Sequence, residues 1–247
     1  MNREPGDPVI RYLKKVTNGL QKMKANIFNY ATKKEQDEAL ANEIASCLLN
    51  ITERDPAAYL LLSGGTTPGN MYEKLFSKSL PWDKIKIFLV DERLVKTDDA
   101  RSNEKMIREK VRMQAAEKAV FTGMVLDSSD ADNNLEKILP LYAEIKFNNS
   151  VVVLGMGTDG HFASLFPNDD ASSIGLQNNA PILVNSLAPN EPKRRISLSA
   201  PYLCQSPAVF LMITGDDKRQ ILEMEEKKLP IHNLLQHKPE VKVFFSS

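Results

Sequence analysis

The stretch Val151-Val152-Val153-Leu154-Gly155-Met156-Gly157-Thr158-Asp159-Gly160-His161 decides how the rest of the chain is read. Its first four residues are β-branched or aliphatic with no polar alternation, the pattern of a strand buried on both faces of a parallel sheet. The glycines that follow break that strand into a turn. In open α/β folds, turns at the carboxyl edge of the sheet are where ligands bind. This turn carries Asp159 and His161, the latter one of only three histidines in the chain. Gly155, Gly157 and Gly160 formally match the dinucleotide fingerprint Gly-x-Gly-x-x-Gly. That motif needs a helix running on from its last glycine and an acidic residue about 20 positions later. Here Pro167 interrupts the segment, and the region near 180 reads Asn178-Asn179-Ala180-Pro181. A polar catalytic turn is the better reading.

Working outward, an apolar run, a turn and an amphipathic segment recur along the chain. Strands are expected at 27–30, 59–62, 85–90, 120–125, 151–154, 182–185, 196–199, 209–214 and 241–245. Thr32-x-x-Glu35 offers a capping box, and Leu40, Ile44, Cys47, Leu48 and Ile51 then share one helical face. Further helical patterns lie at about 68–78, 103–118, 132–146 and 216–227, the third with a stripe of Leu135, Ile138, Leu139, Tyr142 and Ile145. Strands alternating with helices predict an α/β fold, a single Rossmann-like domain whose mainly parallel sheet carries helices on both faces. No linker divides it. The expected organisation is an N-terminal extension over 1–24 and a catalytic domain over 25–247.

Three more polar groups sit at strand ends. Ser63-Gly64-Gly65-Thr66-Thr67-Pro68 follows the strand at 59–62. Its glycines let the backbone curl around an anion, and Thr67 is placed to cap a helix that has Pro68 in first position. No Gly-Lys-Ser/Thr follows, so a phosphomonoester suits this loop better than a triphosphate; an ordinary strand-to-helix turn is the alternative. Asp91-Glu92-Arg93 closes the strand at 85–90, where charge needs partners. Either a functional site or a structural salt bridge satisfies that need, and Ser102 or Asn103 after it can serve as a helix cap. Arg195 opens the strand at 196–199, and alternation should turn only one of Arg194 and Arg195 inward. Lys218 falls in the first turn of a helix, an unfavourable place for a cation, so it calls for an anion: Asp216 or Asp217, or a bound phosphate. In a parallel sheet the motifs converge on one edge, and the joint reading is a site for a small phosphorylated molecule.

Composition limits the alternatives. Across 247 residues, 32 Lys+Arg balance 32 Asp+Glu. The summed charge gives no reason to expect nucleic acid or an anionic membrane as partner. Cys47 and Cys204 form neither a disulfide framework nor a metal-ligand spacing, which favours a reducing cytosol and a cytoplasmic protein. No apolar run reaches the length of a membrane span. Arg3, Arg11, Lys14, Lys15, Lys22 and Lys24 make the first 24 residues basic, with no apolar signal-peptide core. His232 and His237 read as surface or internally satisfied histidines.

With these motifs in view, the chain resembles the 6-phosphogluconolactonases, within the wider group that includes glucosamine-6-phosphate deaminases. The resemblance runs from about Ile27 to Phe245. It rests on the glycine loop 63–68, on Asp91-Glu92-Arg93-x-Val95 followed by Ser102-Asn103, and on Gly155-x-Gly157-x-Asp159-Gly160-His161-x-Ala163-Ser164-Leu165-Phe166-Pro167. Arg195-Ile196-Ser197-Leu198 and Gly215-x-x-Lys218 complete it. It implies hydrolysis of 6-phosphogluconolactone to 6-phosphogluconate, the second step of the oxidative pentose phosphate route, with no required cofactor or metal. The implied assembly is a monomer or small homo-oligomer. Lys96 departs from the family's usual Pro, and the chain ends at Ser247 where the family tends to continue with an Asp. Deaminases follow Asp-Gly-His with Asn-Glu-Pro where this chain has Leu165-Phe166-Pro167, so the carboxylate that amino-sugar chemistry needs is missing. A non-catalytic sugar-phosphate sensor, the third reading, would have no use for His161.

An imidazole whose ordinary pKa is about 6.5 suits general-base work near neutral pH, so His161 is assigned to activate water. Asp159 or Asp91 is expected to orient it. Arg93, with N–H groups of the glycine turn around Gly157, is expected to stabilise the oxyanion. Ser63, Gly64, Gly65, Thr66 and Thr67, with Arg195 and Lys218, are expected to hold the phosphate.

Overall fold

The computed structural model describes residues 26–65, 67–112, 114–224, 226 and 228–247. The basic stretch 1–24 and Thr66 therefore lie outside the described residues. Seven strands form a wholly parallel sheet: β1 (Asn26–Tyr30), β2 (Ala58–Leu62), β3 (Ile85–Leu89), β5 (Val120–Thr122), β6 (Ser150–Leu154), β9 (Ala208–Thr214) and β10 (Lys242–Ser246), in the order β1-β10-β9-β6-β2-β3-β5. Every residue of β2 and β6 is buried. That is why their sequences are apolar without alternation.

The chain order creates the crevice. From β2 the chain builds outward through β3 to β5; from β6 it builds the other way through β9 and β10. The loops leaving β2 and β6 diverge at this switch point, and the gap between them opens at the carboxyl edge of the sheet.

The first long helix, α1 (Lys33–Thr52), begins at the expected capping box. Glu35 N–H donates to Thr32 Oγ1 and Thr32 N–H to Glu35 Oε2, each at 3.2 Å. Leu40, Ile44, Leu48 and Ile51 are buried, and Cys47 is partly so. Helix α2 (Gly69–Phe76) packs on α1. The pattern expected over 103–118 breaks into α3 (Asn103–Val111) and a short 3₁₀ turn at Ala115–Lys118. Helix α4 (Ala131–Ala143) is capped by Asp130, and Leu139 is exposed instead of joining the buried stripe of Ile138, Tyr142 and Ile145. Short helices α5 (Asp170–Gly175) and α6 (Ala200–Leu203) were not expected; α7 (Asp216–Glu223) and α8 (Pro230–His237) complete the set among the described residues.

One expectation about the sheet needs correcting. The strands near 182–185 and 196–199 do not extend the parallel sheet. They are β7 (Leu183–Leu187) and β8 (Arg194–Leu198), which with the short β4 (Asp91–Arg93) form a separate antiparallel sheet, β4-β8-β7. The strand expected to stop at Val90 thus hands its charged tail to a second sheet. Expected strand 120–125 shrinks to the edge strand β5.

Gln36 shows how the terminal strands are closed. Its fully buried side chain donates to the carbonyls of Ile213 (2.8 Å) and Phe244 (2.7 Å) and accepts from Ser246 Oγ (3.2 Å). Gln36→Ala should therefore destabilise the protein by roughly 1–3 kcal/mol. This is read as a lower urea midpoint at unchanged slope, and an unmoved midpoint would remove Gln36 from the account of the fold.

Candidate active site

Helix α7 and the loops after β2, β3 and β6 enclose a cavity of about 240 Å³ lined by Ser63, Gly64, Gly65, Thr67, Asp91, Arg93, Asn103, Gly157, His161 and Lys218. Of the described residues expected at the site, only Asp159 and Arg195 are missing from that wall.

The β6 turn is built around one contact. His161 Nδ1 lies 2.5 Å from Asp159 Oδ1, and the His161 backbone N–H donates to the same oxygen at 3.1 Å. Burial works to raise the Asp159 carboxyl, but the hydrogen bond and positive charge offered by His161 outweigh it and hold the group below the usual carboxylate range. An ionised carboxylate can only accept, so Nδ1 carries the proton, and in the neutral imidazole Nε2 then presents its lone pair. None of the described hydrogen bonds engages His161 Nε2. On the other side Phe166 lies tilted against the imidazole, ring centroids 4.6 Å apart. Of the two candidate carboxylates, Asp159 is the one in contact with the imidazole; Asp91 instead accepts from Ser164 Oγ at 2.6 Å.

Gly157 is required by this packing. A Cβ at that position would lie 2.2 Å from His161 Cε1 and 2.6 Å from Asp159 Oδ1. The turn also consumes its own amides: Gly157 N–H donates to His161 O and Gly160 N–H to Gly157 O. Of the turn's N–H groups expected at an oxyanion site, those of Gly157 and Gly160 are therefore already spent. Arg93 keeps unspent donors. Its Nη1 donates to Arg101 O (2.6 Å) and Asn103 Oδ1 (2.8 Å), while the described hydrogen bonds leave its Nη2 and Nε unused.

The glycine loop after β2 is partly as expected. No described hydrogen bond uses the backbone N–H of Gly64 or Gly65, so both remain available to an anion. Ser63 differs: its Oγ donates to Val153 O at 2.9 Å, tying the loop to β6, and its carbonyl accepts from the buried Tyr72 hydroxyl at 2.7 Å. Thr67 does not cap α2. Pro68 takes the cap position with no side-chain bond, and the helix starts at Gly69.

The cations are placed without neutralising partners. Lys218 joins neither Asp216 nor Asp217 and has no described hydrogen bond or ion pair, while lining the cavity. Arg194 turns outward to the carbonyls of Ser128 and Ser129. Arg195 turns inward, opposite Arg93 in the β4–β8 pairing. Burial, with the charge of Arg93 next, lowers its pKa, and its buried Nε has no partner. Arg195 lines an adjoining cavity of about 560 Å³ that shares Gly65, Arg93 and Asn103 with the first. In that second cavity Lys110 and Arg101 are already paired with Glu73 and Asp99. Arg93 and Arg195 form no described ion pair, although the charges of Asp91, Glu92 and Glu191 act on Arg195.

Two residues carry more of this site than their sequence positions suggested. Glu92 is buried (1% exposed) and Asn103 nearly so (2%). Burial pushes the Glu92 carboxyl up to about 7, against the pull of the N–H groups of Asn103, Glu104 and Arg93, with Asp91 adding to the rise. The signal for both was the charged strand end and the Ser-Asn helix start, read only as alternatives. Among the described residues, no group of His, Cys, Asp and Glu is arranged to hold a metal, and no helix is long and apolar enough to cross a membrane.

Comparison with known proteins agrees with this geometry. The family profile of glucosamine-6-phosphate isomerases and 6-phosphogluconolactonase matches residues 31–242. The chain belongs to this family. It is 30% identical over 226 residues to the 6-phosphogluconolactonase of Caulobacter vibrioides, covering 88% of this chain and 95% of that protein. The corresponding protein of Neisseria meningitidis is 30% identical over 214 residues, covering 84% and 93%. The crystal structure of a 6-phosphogluconolactonase from Shewanella baltica superimposes with a TM-score of 0.81 at 30% identity, over 91% of this chain and 98% of that one. All the expected site residues fall inside the matched span.

Gly157→Ala should push the imidazole off Asp159 and lower kcat by about 10²-fold, the lower range of losing a general base. The melting temperature should change little by comparison. Full activity in Gly157→Ala would show that the Asp159–His161 contact is dispensable.

Proposed function

We propose that the protein hydrolyses 6-phospho-D-glucono-1,5-lactone to 6-phospho-D-gluconate, with His161 as general base. The observation that carries this reading is the Asp159–His161 pair, with Nε2 unengaged, in a cavity that also holds unpaired Lys218 and the free amides of Gly64 and Gly65. A base and an anion cradle that line one cavity of about 240 Å³ fit a small phosphorylated ester.

His161 Nε2 takes a proton from water while the water oxygen attacks C1 of the lactone. The carbonyl electrons move onto oxygen, and the Arg93 guanidinium stabilises the resulting oxyanion. Asp159 supports the imidazolium formed in this step. When the tetrahedral intermediate collapses, the bond from C1 to the ring oxygen breaks, and the imidazolium returns its proton to that oxygen as a hydroxyl. Water and lactone have become the acid, and His161 is neutral again. The 6-phosphate rests on Gly64, Gly65 and the loop through Thr67, with Lys218 and Arg195 supplying charge-assisted hydrogen bonds. Leu165 is fully buried and Phe166 nearly so at the place where the deaminases carry their carboxylate. Neither can move a proton, which separates this reading from amino-sugar deamination.

The test compares phosphorylated and unphosphorylated gluconolactone against their spontaneous hydrolysis. His161→Ala should lower kcat by about 10²–10⁴-fold with KM similar. Lys218→Ala and Arg195→Ala should each lower kcat/KM by roughly 10- to 150-fold on the phosphorylated lactone alone, the loss of a charge-assisted bond. Ammonia release from glucosamine 6-phosphate should stay at background. Near-normal turnover by folded His161→Ala, or steady ammonia production that this substitution abolishes, would overturn the proposal.

A further inference from the structure

Glu92, like its neighbour Asp91, is a charged residue of β4 that the mechanism above leaves without a task. It does not line the cavity, yet it is among the most completely satisfied side chains near it. Its Oε1 accepts from Arg93 N–H (2.7 Å) and Asn103 N–H (2.9 Å); its Oε2 accepts from Glu104 N–H (2.7 Å) and Ser102 Oγ (3.1 Å). Asn103 and Glu104 are the first two residues of α3, and Ser102 Oγ in turn accepts from Lys105 N–H at 3.2 Å. A carboxylate from a different element therefore takes over the free N–H groups that begin this helix, where negative charge is favoured.

What that fixes is Asn103. Its Nδ2 donates to Asp91 O (2.9 Å) and its Oδ1 accepts from Arg93 Nη1 (2.8 Å). The same amide sits directly over the glycine loop: a Cβ on Gly64 would be 1.8 Å from Asn103 Oδ1. One side chain thus sets both the aim of the Arg93 guanidinium and the space above the anion-binding amides.

We propose that Glu92 is a positioning residue for phosphate recognition, acting through the N-terminus of α3 and the Asn103 side chain on Arg93 and Gly64. This rests on the phosphate site proposed above. The His161 turn belongs to β6 and is held by its own hydrogen bonds, so the proton transfer is left alone; the effect falls on the Gly64 amide at the phosphate end and, through Arg93, on the oxyanion of either lactone. In Glu92→Gln the new amide N–H₂ settles at the Oε2 position, because the Ser102 hydroxyl can rotate to accept from it while Glu104 N–H cannot. Donor then opposes donor at the start of α3.

The experiment measures KM and kcat on 6-phosphogluconolactone and on gluconolactone for the wild type, Glu92→Gln, Asn103→Ala, the double variant and Lys218→Ala. Glu92→Gln should raise KM for the phosphorylated lactone about 10-fold, the effect of one lost bond to a charged group. Its kcat should fall to a similar extent on both lactones, because Arg93 faces the oxyanion of either, while KM for gluconolactone should not change. Asn103→Ala should give the same selective loss, and the double variant no more than the larger single one, as residues acting in series do. A rise in KM on both lactones alike, additive single effects, or an unchanged KM for the phosphorylated lactone would overturn the proposal. If Glu92→Gln does not fold, Asn103→Ala decides alone: an equal rise in KM on both lactones rejects it. Lys218→Ala separates the two readings. If it is selective while Glu92→Gln is not, only the role of Glu92 fails; if it is not selective either, the phosphate site itself is misplaced.

Discussion

Strands five residues long and buried on both faces cannot carry an unpaired polar side chain along their length, and this restriction shapes the whole molecule. Burying an unpaired polar group costs several kcal/mol, so the chemistry of β2 and β6 is displaced to the residues just past their ends. Because the strands run parallel, those ends lie on one edge. Because the chain builds outward in opposite directions from β2 and β6, the two turns stand apart with a crevice between them. The proposed base arrives from the β6 turn and the amides proposed to bind the anion from the β2 loop.

The small antiparallel sheet solves a different problem. Arg195 begins its strand, and in a parallel arrangement it would lie at the opposite edge from His161. Antiparallel pairing of β8 with β4 reverses that direction and sets Arg195 opposite Arg93. Two guanidiniums so placed repel each other, and burial lowers the pKa of Arg195 further. With Lys218 they give a local excess of positive charge in a chain whose summed charge is zero. The preference for an anion is thus a property of placement, invisible in composition.

Much of this was legible in the sequence, for identifiable reasons. Unbroken runs such as 151–154 have one good reading, and Thr32-x-x-Glu35 announces a helix start through local bonds alone. The alternation of Arg194 and Arg195 correctly assigned one inward side chain. Where the reading failed, the deciding contact was distant in sequence. Nothing local says that Asp91–Arg93 leaves one sheet to pair with residues a hundred positions later. Nor could sequence show that Asp91 meets Ser164 while Asp159 takes His161, that the Ser63 hydroxyl turns back to Val153, or that the glycine-turn amides are consumed within the turn. Thr67 looked like a cap because its residue type permits it, and the backbone placed Pro68 there instead. The work of Glu92 and Asn103 depends on a helix docking against a strand end.

The account stands on His161 presenting a bare Nε2 because Asp159 holds the proton on Nδ1. Nitrogen-15 NMR of the imidazole groups, recorded above the histidine titration range, reads this tautomer directly. His161 should show a protonated Nδ1 and an unprotonated Nε2. His232 provides an internal reference of the opposite kind, since its Nδ1 accepts from Leu229 N–H and its Nε2 donates to Ile221 O. A His161 spectrum matching that of His232, with the proton on Nε2, would contradict the assignment of His161 as the base that activates water.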